Sequence, residues 1–368
     1  MKYQREQQNL RIPGPVPCPP EVIDAQTRPL IDHRSEEFAH MLKSIVRRLK
    51  RIFLTENDVF ILTSSGTGAL EASLVNTLSP GDKILAVVTG FFGQRYSDMA
   101  KALLIDVQEL QFEWGRDVDI EILRKTLVAH PDIKAVLVTH NETSTGVTND
   151  LESISRVVKK EFGKLLLVDA VSSLGSVELK TDEWECDVVV AGSQKGLLTP
   201  PGLAVISFSE SAWCAYEKCC MPKYYNDLGL FRTFMALGQT AFTPAISLLY
   251  ALDKALELIL SEGLVSFIDM QREQAFMIRS KVRLLGMELL AEDRCASHSV
   301  TAVKVPKNVD ADDLVDLLRE EFGIVVGRGQ GRLKGKLFRV GHIGKVPEQE
   351  IQDLVVGLSS ALTRVISK

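Results

Sequence analysis

Four stretches near the middle of the chain decide how it folds: KAVLVTH (residues 134–140), LESISRVVKKEF (151–162), KLLLVDA (164–170) and CDVVVAGSQKGLLTPPG (186–202). Three are short, continuous apolar runs rich in Val and Leu, with a helix-like segment between the first two. A strand with no polar alternation is covered on both faces, and strands that alternate with helices build a mostly parallel sheet. The rhythm extends upstream through VFILTSS (59–65), GALEASLVNTL (68–78), KILAVVTG (83–90) and RYSDMAKALL (95–104), and it stops near residue 210.

The texture differs on either side. IPGPVPCPP (12–20) reads as an extended arm, because proline fixes φ and removes a donor. EEFAHMLKSIVRRLKRIF (36–53) has helical spacing of its apolar residues. Residues 242–285 read as a long helical stretch interrupted near Gly263. The strand-like VTAVKVP and LFRVGHIG, the helix DADDLVDLLREEFG and a capped C-terminal amphipathic helix follow. The expected architecture is α/β: an arm (1–20), a large domain (21–243) with a mostly parallel sheet sandwiched by helices, and a smaller α+β domain (244–368).

With 368 residues, 45% of them hydrophobic and 25% charged, the chain has the composition of a globular protein with a large core. A net charge of −5 argues against nucleic acid or an anionic membrane as partner, and no apolar run approaches a membrane span. The six cysteines lack paired C-x-x-C spacing, so neither a disulfide framework nor a zinc site is expected. A polar N-terminus without a signal-like core points to the cytoplasm.

Ligands of open parallel sheets bind beyond the carboxyl ends of the strands, so the residues there are the candidates. Ser64-Ser65-Gly66-Thr67-Gly68 follows one strand and opens a helix, an anion cradle or a plain tight turn. Asp169 ends another, and could cap a helix or face a protonated ring nitrogen. Asn141 to Gly146 are compact polar residues suited to lining a site or making a turn. Lys195 follows the last strand; alone it would be a surface charge. Together, a phosphate cradle, a buried carboxylate and an amine are what pyridoxal 5'-phosphate requires.

The ordered set SSGTGALEA, GFFGQR, THNETSTGV, LLLVDAVSSLG, GSQKGLLTPPG and LFRVGHIG resembles the class V, fold type I aminotransferases, nearest their alanine/serine–glyoxylate branch. The resemblance spans nearly the whole chain. It implies Lys195 as Schiff-base lysine and proton shuttle, Asp169 on the pyridine nitrogen, Val171 on one ring face and Phe92 stacked on the other. It implies Ser65, Gly66, Thr67 and Gln194 on the phosphate, Thr143 on the cofactor's phenolic oxygen or the substrate, and Arg339 on the α-carboxylate. It further implies a homodimer with the active site at the interface, where Thr243 reaches the partner's phosphate. The family often has a tyrosine three residues earlier; this chain has Thr240.

The activity so implied is ping-pong transfer of an amino group from a small L-amino acid, alanine or serine, to a 2-oxo acid such as glyoxylate or pyruvate. An aspartate or 2-aminoethylphosphonate donor is the alternative; Arg95, Arg328 and Arg332 are the spare cations. A cysteine desulfurase or lyase would need a mobile cysteine, for which Cys295 is the candidate, and usually has histidine where Gln194 stands. The basic run GRGQGRLKGK (327–336) reads as a mobile flap ahead of Arg339 rather than a nucleic-acid contact, because it lacks interleaved aromatics.

Overall fold

A computed structural model describes residues 8–366. The central sheet has seven strands in the order Asp58–Thr63, Leu203–Phe208, Val188–Gly192, Leu165–Asp169, Ala135–Thr139, Lys83–Val88, Asp106–Gln111. Only Leu203–Phe208 runs against its neighbours. The GSQKGLLTPPG segment is therefore the turn that folds this strand back, so Lys195 sits at the carboxyl end of Val188–Gly192. Alternation along each strand sorts residues to two cores. Val59, Ile61, Val136, Val138, Val189 and Ala191 face one, and Phe60, Leu62, Leu137, Val188 and Val190 face the other. Both faces are covered, as continuous apolar strands require.

The helix Glu36–Phe53 shows the local logic. Ser35 caps it by accepting the Phe38 N–H, and Lys50 and Arg51 sit in its last turn against the macrodipole. Phe38, Leu42, Ile45, Leu49 and Ile52 fall on one buried stripe. Each fully buried side chain of this kind contributes about 1.5–3 kcal/mol relative to exposure.

The interruption at Gly263 is real. The chain breaks there at a φ of 86° between the helices Ile246–Glu262 and Leu264–Leu284. The sequence placed both helices in the second unit. Leu249, Leu252, Leu256 and Ile259 of the first nevertheless lie in the large sheet's core, whereas Ile278 and Val282 of the second join the core of the smaller sheet. That sheet has the order Asn9–Arg11, Ile324–Arg328, Leu337–Gly341, Val300–Lys304, Glu288–Leu289.

The expected arm also differs. Residues 1–7 lie outside the described residues. Asn9–Arg11 is not a free arm but a strand, parallel to Ile324–Arg328, and Arg11 pairs with Glu350 at 2.8 Å. Pro20–Ala25 is a short helix. Among the described residues no helix is long and apolar enough to cross a membrane.

Candidate active site

The sheet's carboxyl edge carries a cavity of about 200 Å³. Asp169 is the last residue of Leu165–Asp169, beside Thr139 on one neighbouring strand and Val190 on the other. It is 6% exposed. Its Oδ1 accepts the Val171 N–H at 2.9 Å, and among the described residues no cation pairs with it. Burial pushes its pKa up to about 7, with Glu142 adding to the rise; the Val171 N–H, Lys195 and Arg95 oppose it. A buried carboxylate in this state lacks a positive partner.

Lys195 lies across the same cavity. Its Nζ donates to the Pro13 carbonyl at 2.5 Å. Burial, with repulsion from Arg339, pulls its pKa down to about 8, although Asp169 opposes the fall. A substantial share of the amine is therefore neutral, and nucleophilic, near physiological pH. Gly14 presses on this side chain: a Cβ there would stand 2.4 Å from Nζ, and its φ of +133° independently favours glycine.

The cradle is the N-terminus of the helix Gly66–Thr77, capped by the Ser65 Oγ, which accepts the Gly68 N–H at 3.2 Å. Ser65, Gly66 and Thr67 line the cavity. A Cβ on Gly66 would meet Val171 Cγ2 at 2.7 Å, so the cradle and the Val171 wall fit only with glycine. Gln194 completes this side, and its buried Oε1 has no hydrogen-bond partner. Phe92 forms another wall. It lies in the first turn of Phe91–Ala102, a helix that begins four residues earlier than the sequence pattern suggests.

Thr143 also lines the cavity. Its carbonyl accepts from Arg339 Nη1 at 3.3 Å, and Arg339 Nε donates to the Arg328 carbonyl at 2.9 Å. Nη2 carries no bond among the described residues. Burial lowers the Arg339 pKa to about 10, with Glu142 opposing the shift, so the guanidinium stays charged.

Thr243 is exposed and does not line the cavity. The Thr240 hydroxyl is bonded to the Phe242 carbonyl at 2.8 Å. Cys295 is buried away from the cavity, with its thiol toward the Gly115 and Glu292 carbonyls; this location does not support a desulfurase nucleophile. The 327–336 run is docked: Arg328 pairs with Asp312 and Asp316, and Arg332 stacks 4.0 Å over Trp114.

Several lining residues were not assigned a role from sequence. Gly14, Pro15 and Ser172 are among them, and Asn141 lines the cavity as the sequence reading of Asn141 to Gly146 allows. Arg95, considered only as a spare cation, lines the cavity with its guanidinium 5.1 Å from both the Phe91 and the Phe92 ring centroids. Among the described residues no group of three or more His, Cys, Asp or Glu is placed to hold a metal ion.

The residues present fit pyridoxal 5'-phosphate. The unpaired Asp169 matches a protonated ring nitrogen, the orphaned Gln194 amide and the glycine-opened helix end match the phosphate, and the Lys195 amine matches the aldehyde. This fold and site define a fold type I pyridoxal-phosphate enzyme. The profile described as aminotransferase class-V matches residues 23–334, and the chain belongs to that family. It is a pyridoxal-phosphate-dependent transaminase.

Its relatives include the "soluble hydrogenase, small subunit" of Synechococcus sp., 41% identical over 97% of this chain and 93% of that one. The L-aspartate–glyoxylate aminotransferase of Paracoccus denitrificans is 38% identical over 93% and 88%. Among solved structures, an alanine–glyoxylate aminotransferase from Nostoc sp. superposes with a TM-score of 0.94 at 31% identity, covering 98% of this chain and 97% of that one.

Proposed function

We propose that the chain moves an amino group from a small L-amino acid, alanine or serine, to a 2-oxo acid such as glyoxylate or pyruvate, in two half-reactions. The convergence of Lys195 and Asp169 on one cavity carries this reading. Bound pyridoxal phosphate supplies the electron sink for the pair left when the substrate's α-proton departs. Lys195 Nζ would take that proton and carry it onward to complete the amino-group transfer, a shuttle suited to an amine with a pKa of about 8. Asp169 would keep the ring nitrogen protonated. Arg339 would receive the α-carboxylate, with its guanidinium held in place by bonds to the Thr143 and Arg328 carbonyls. Phe92 and Val171 would sandwich the ring, and Ser65, Gly66, Thr67 and Gln194 would hold the phosphate.

A dicarboxylate donor such as aspartate is the second reading. Arg95 favours it, because this lining cation has no carboxylate partner among the described residues. The L-aspartate–glyoxylate relative points the same way.

The remaining elements of the reading are a homodimer, to which Thr243 contributes across the interface, a cytoplasmic location and a division into two domains. Exposed, unpaired Cys214 and Cys220 suit a reducing compartment. The deciding experiment follows the visible spectrum of cofactor-loaded protein as alanine, serine and aspartate are added separately. Bleaching of the cofactor's visible band with release of the matching oxo acid names the donor. A spectrum unmoved by all three, with no oxo acid formed, would sink the reading.

A further inference from the structure

The first turn of Phe91–Ala102 has no cap of its own. Gly90 stands at the N-cap with no side chain to offer. Its three leading N–H groups are satisfied by a different loop. Phe91 N–H donates to Ser144 Oγ at 2.9 Å, and Phe92 and Gly93 N–H both donate to Glu142 Oε2 at 3.0 Å. The other carboxylate oxygen, Oε1, accepts from the Ser144 N–H at 3.1 Å and the Ser144 hydroxyl at 2.6 Å. Glu142 is fully buried, and no ion pair reaches it among the described residues. A Cβ on Gly90 would stand 2.4 Å from Glu142 Cγ, so glycine there makes room for the carboxylate.

We propose that Glu142 is a positioning residue, a borrowed helix cap that fixes Phe92 and Thr143 relative to one another across the cofactor site. The proposal rests on the reading of the cavity as the pyridoxal phosphate site. Phe92 is a wall of that cavity, and Thr143, the next residue after Glu142, lines it and offers its carbonyl to Arg339. One carboxylate thus ties the ring-stacking wall to the substrate clamp. Replacing it with the isosteric amide puts an NH2 group where an oxygen now accepts from two backbone N–H groups or from Ser144. The cap must then shift, because a buried donor facing donors is unfavourable. Burial pushes the Glu142 carboxyl pKa upward, and its four hydrogen bonds oppose the rise.

The test titrates apo-protein with pyridoxal phosphate, following visible absorbance, for wild type, Glu142→Gln, Ser144→Ala and Asp119→Ala. Asp119 caps the surface helix Ile120–Ala129 and serves as the control for ordinary cap loss. The expected result is cofactor binding weakened on the order of ten- to a hundredfold in Glu142→Gln. Ser144→Ala should weaken it severalfold, and Asp119→Ala should leave it unchanged while lowering the melting temperature. In the loaded Glu142→Gln protein, KM for the amino acid should rise more than kcat falls. Unchanged affinity in both Glu142→Gln and Ser144→Ala overturns the proposal, as does an equal loss in Asp119→Ala. Should Glu142→Gln fail to fold, unchanged affinity in Ser144→Ala is sufficient to overturn it. Wild type that does not bind the cofactor sinks the underlying site assignment instead.

Discussion

Asp169→Asn should make the apo-protein more stable while disabling it. The carboxylate is 6% exposed, and burial moves its pKa from the ordinary 3.8 to about 7. That difference corresponds to roughly 4 kcal/mol held against folding once the group is ionised. Asparagine keeps the acceptor for the Val171 N–H but leaves an amide donor unpaired, which returns about 1–2 kcal/mol. The net gain is about 2 kcal/mol at about pH 8. A carboxyl whose pKa is raised by folding holds a proton that the unfolded chain has already lost between about pH 4 and pH 7. Stability of the wild type therefore falls as pH rises through that window, and the advantage of the variant grows with it. Urea unfolding of both apo-proteins at about pH 8 and about pH 4 reads this directly. A variant less stable than wild type at about pH 8, or a gain equal at both values, would refute the reasoning. On the proposed role of Asp169 as the ring-nitrogen partner, the same change should lower kcat of the loaded enzyme on the order of 10²-fold.

Other perturbations follow from the same geometry. Lys195→Ala should leave the protein folded but lower turnover about 10³-fold or more, checked by single-turnover absorbance. The rate at which apo-protein captures pyridoxal phosphate should rise with pH and level off above about pH 8, because Lys195 must be neutral to react and its pKa is about 8; a rate that falls across that range contradicts the assignment. Arg339→Lys should raise the amino acid KM about 10- to 100-fold with a smaller change in kcat, since a lysine cannot bridge both carbonyls and the carboxylate. Gly14→Ala should displace the Lys195 amine and slow cofactor capture, because its Cβ would overlap Nζ; capture at the wild-type rate would show that the lysine can move aside freely.

Asp169, Lys195 and the Ser65–Thr67 turn were legible because each ends or follows an apolar run, and strand direction alone places such ends on one edge. Arg339 was legible only through the resemblance, since it comes from the smaller sheet and local pattern does not place that sheet over the larger one. Glu142 sat in plain view within NETSTG, but it caps a helix about 50 residues away, a pairing that no local spacing reveals. Gly14 is harder still. Its Pro13 neighbour touches Lys195 across 182 residues of chain, and a proline-rich segment carries no chemical signature. Asn9–Arg11 was read as arm because three residues are too short for an alternation pattern. Ile246–Glu262 packs on the large sheet's core although the sequence groups it with the segments that follow, because a helix buried on more than one side reads alike in either unit.

The strand Asn9–Arg11 and the turn Pro13–Gly14 are two residues apart, yet one lies in the smaller sheet and the other on the lysine of the larger. Arg339 belongs to that same smaller sheet, two strands over from Asn9–Arg11. Any displacement of the smaller sheet would therefore act as a single lever. It would move Arg339 and pull the Pro13 carbonyl from the amine in one stroke. The seating of the smaller sheet and the burial of the Lys195 amine are therefore parts of one packing arrangement.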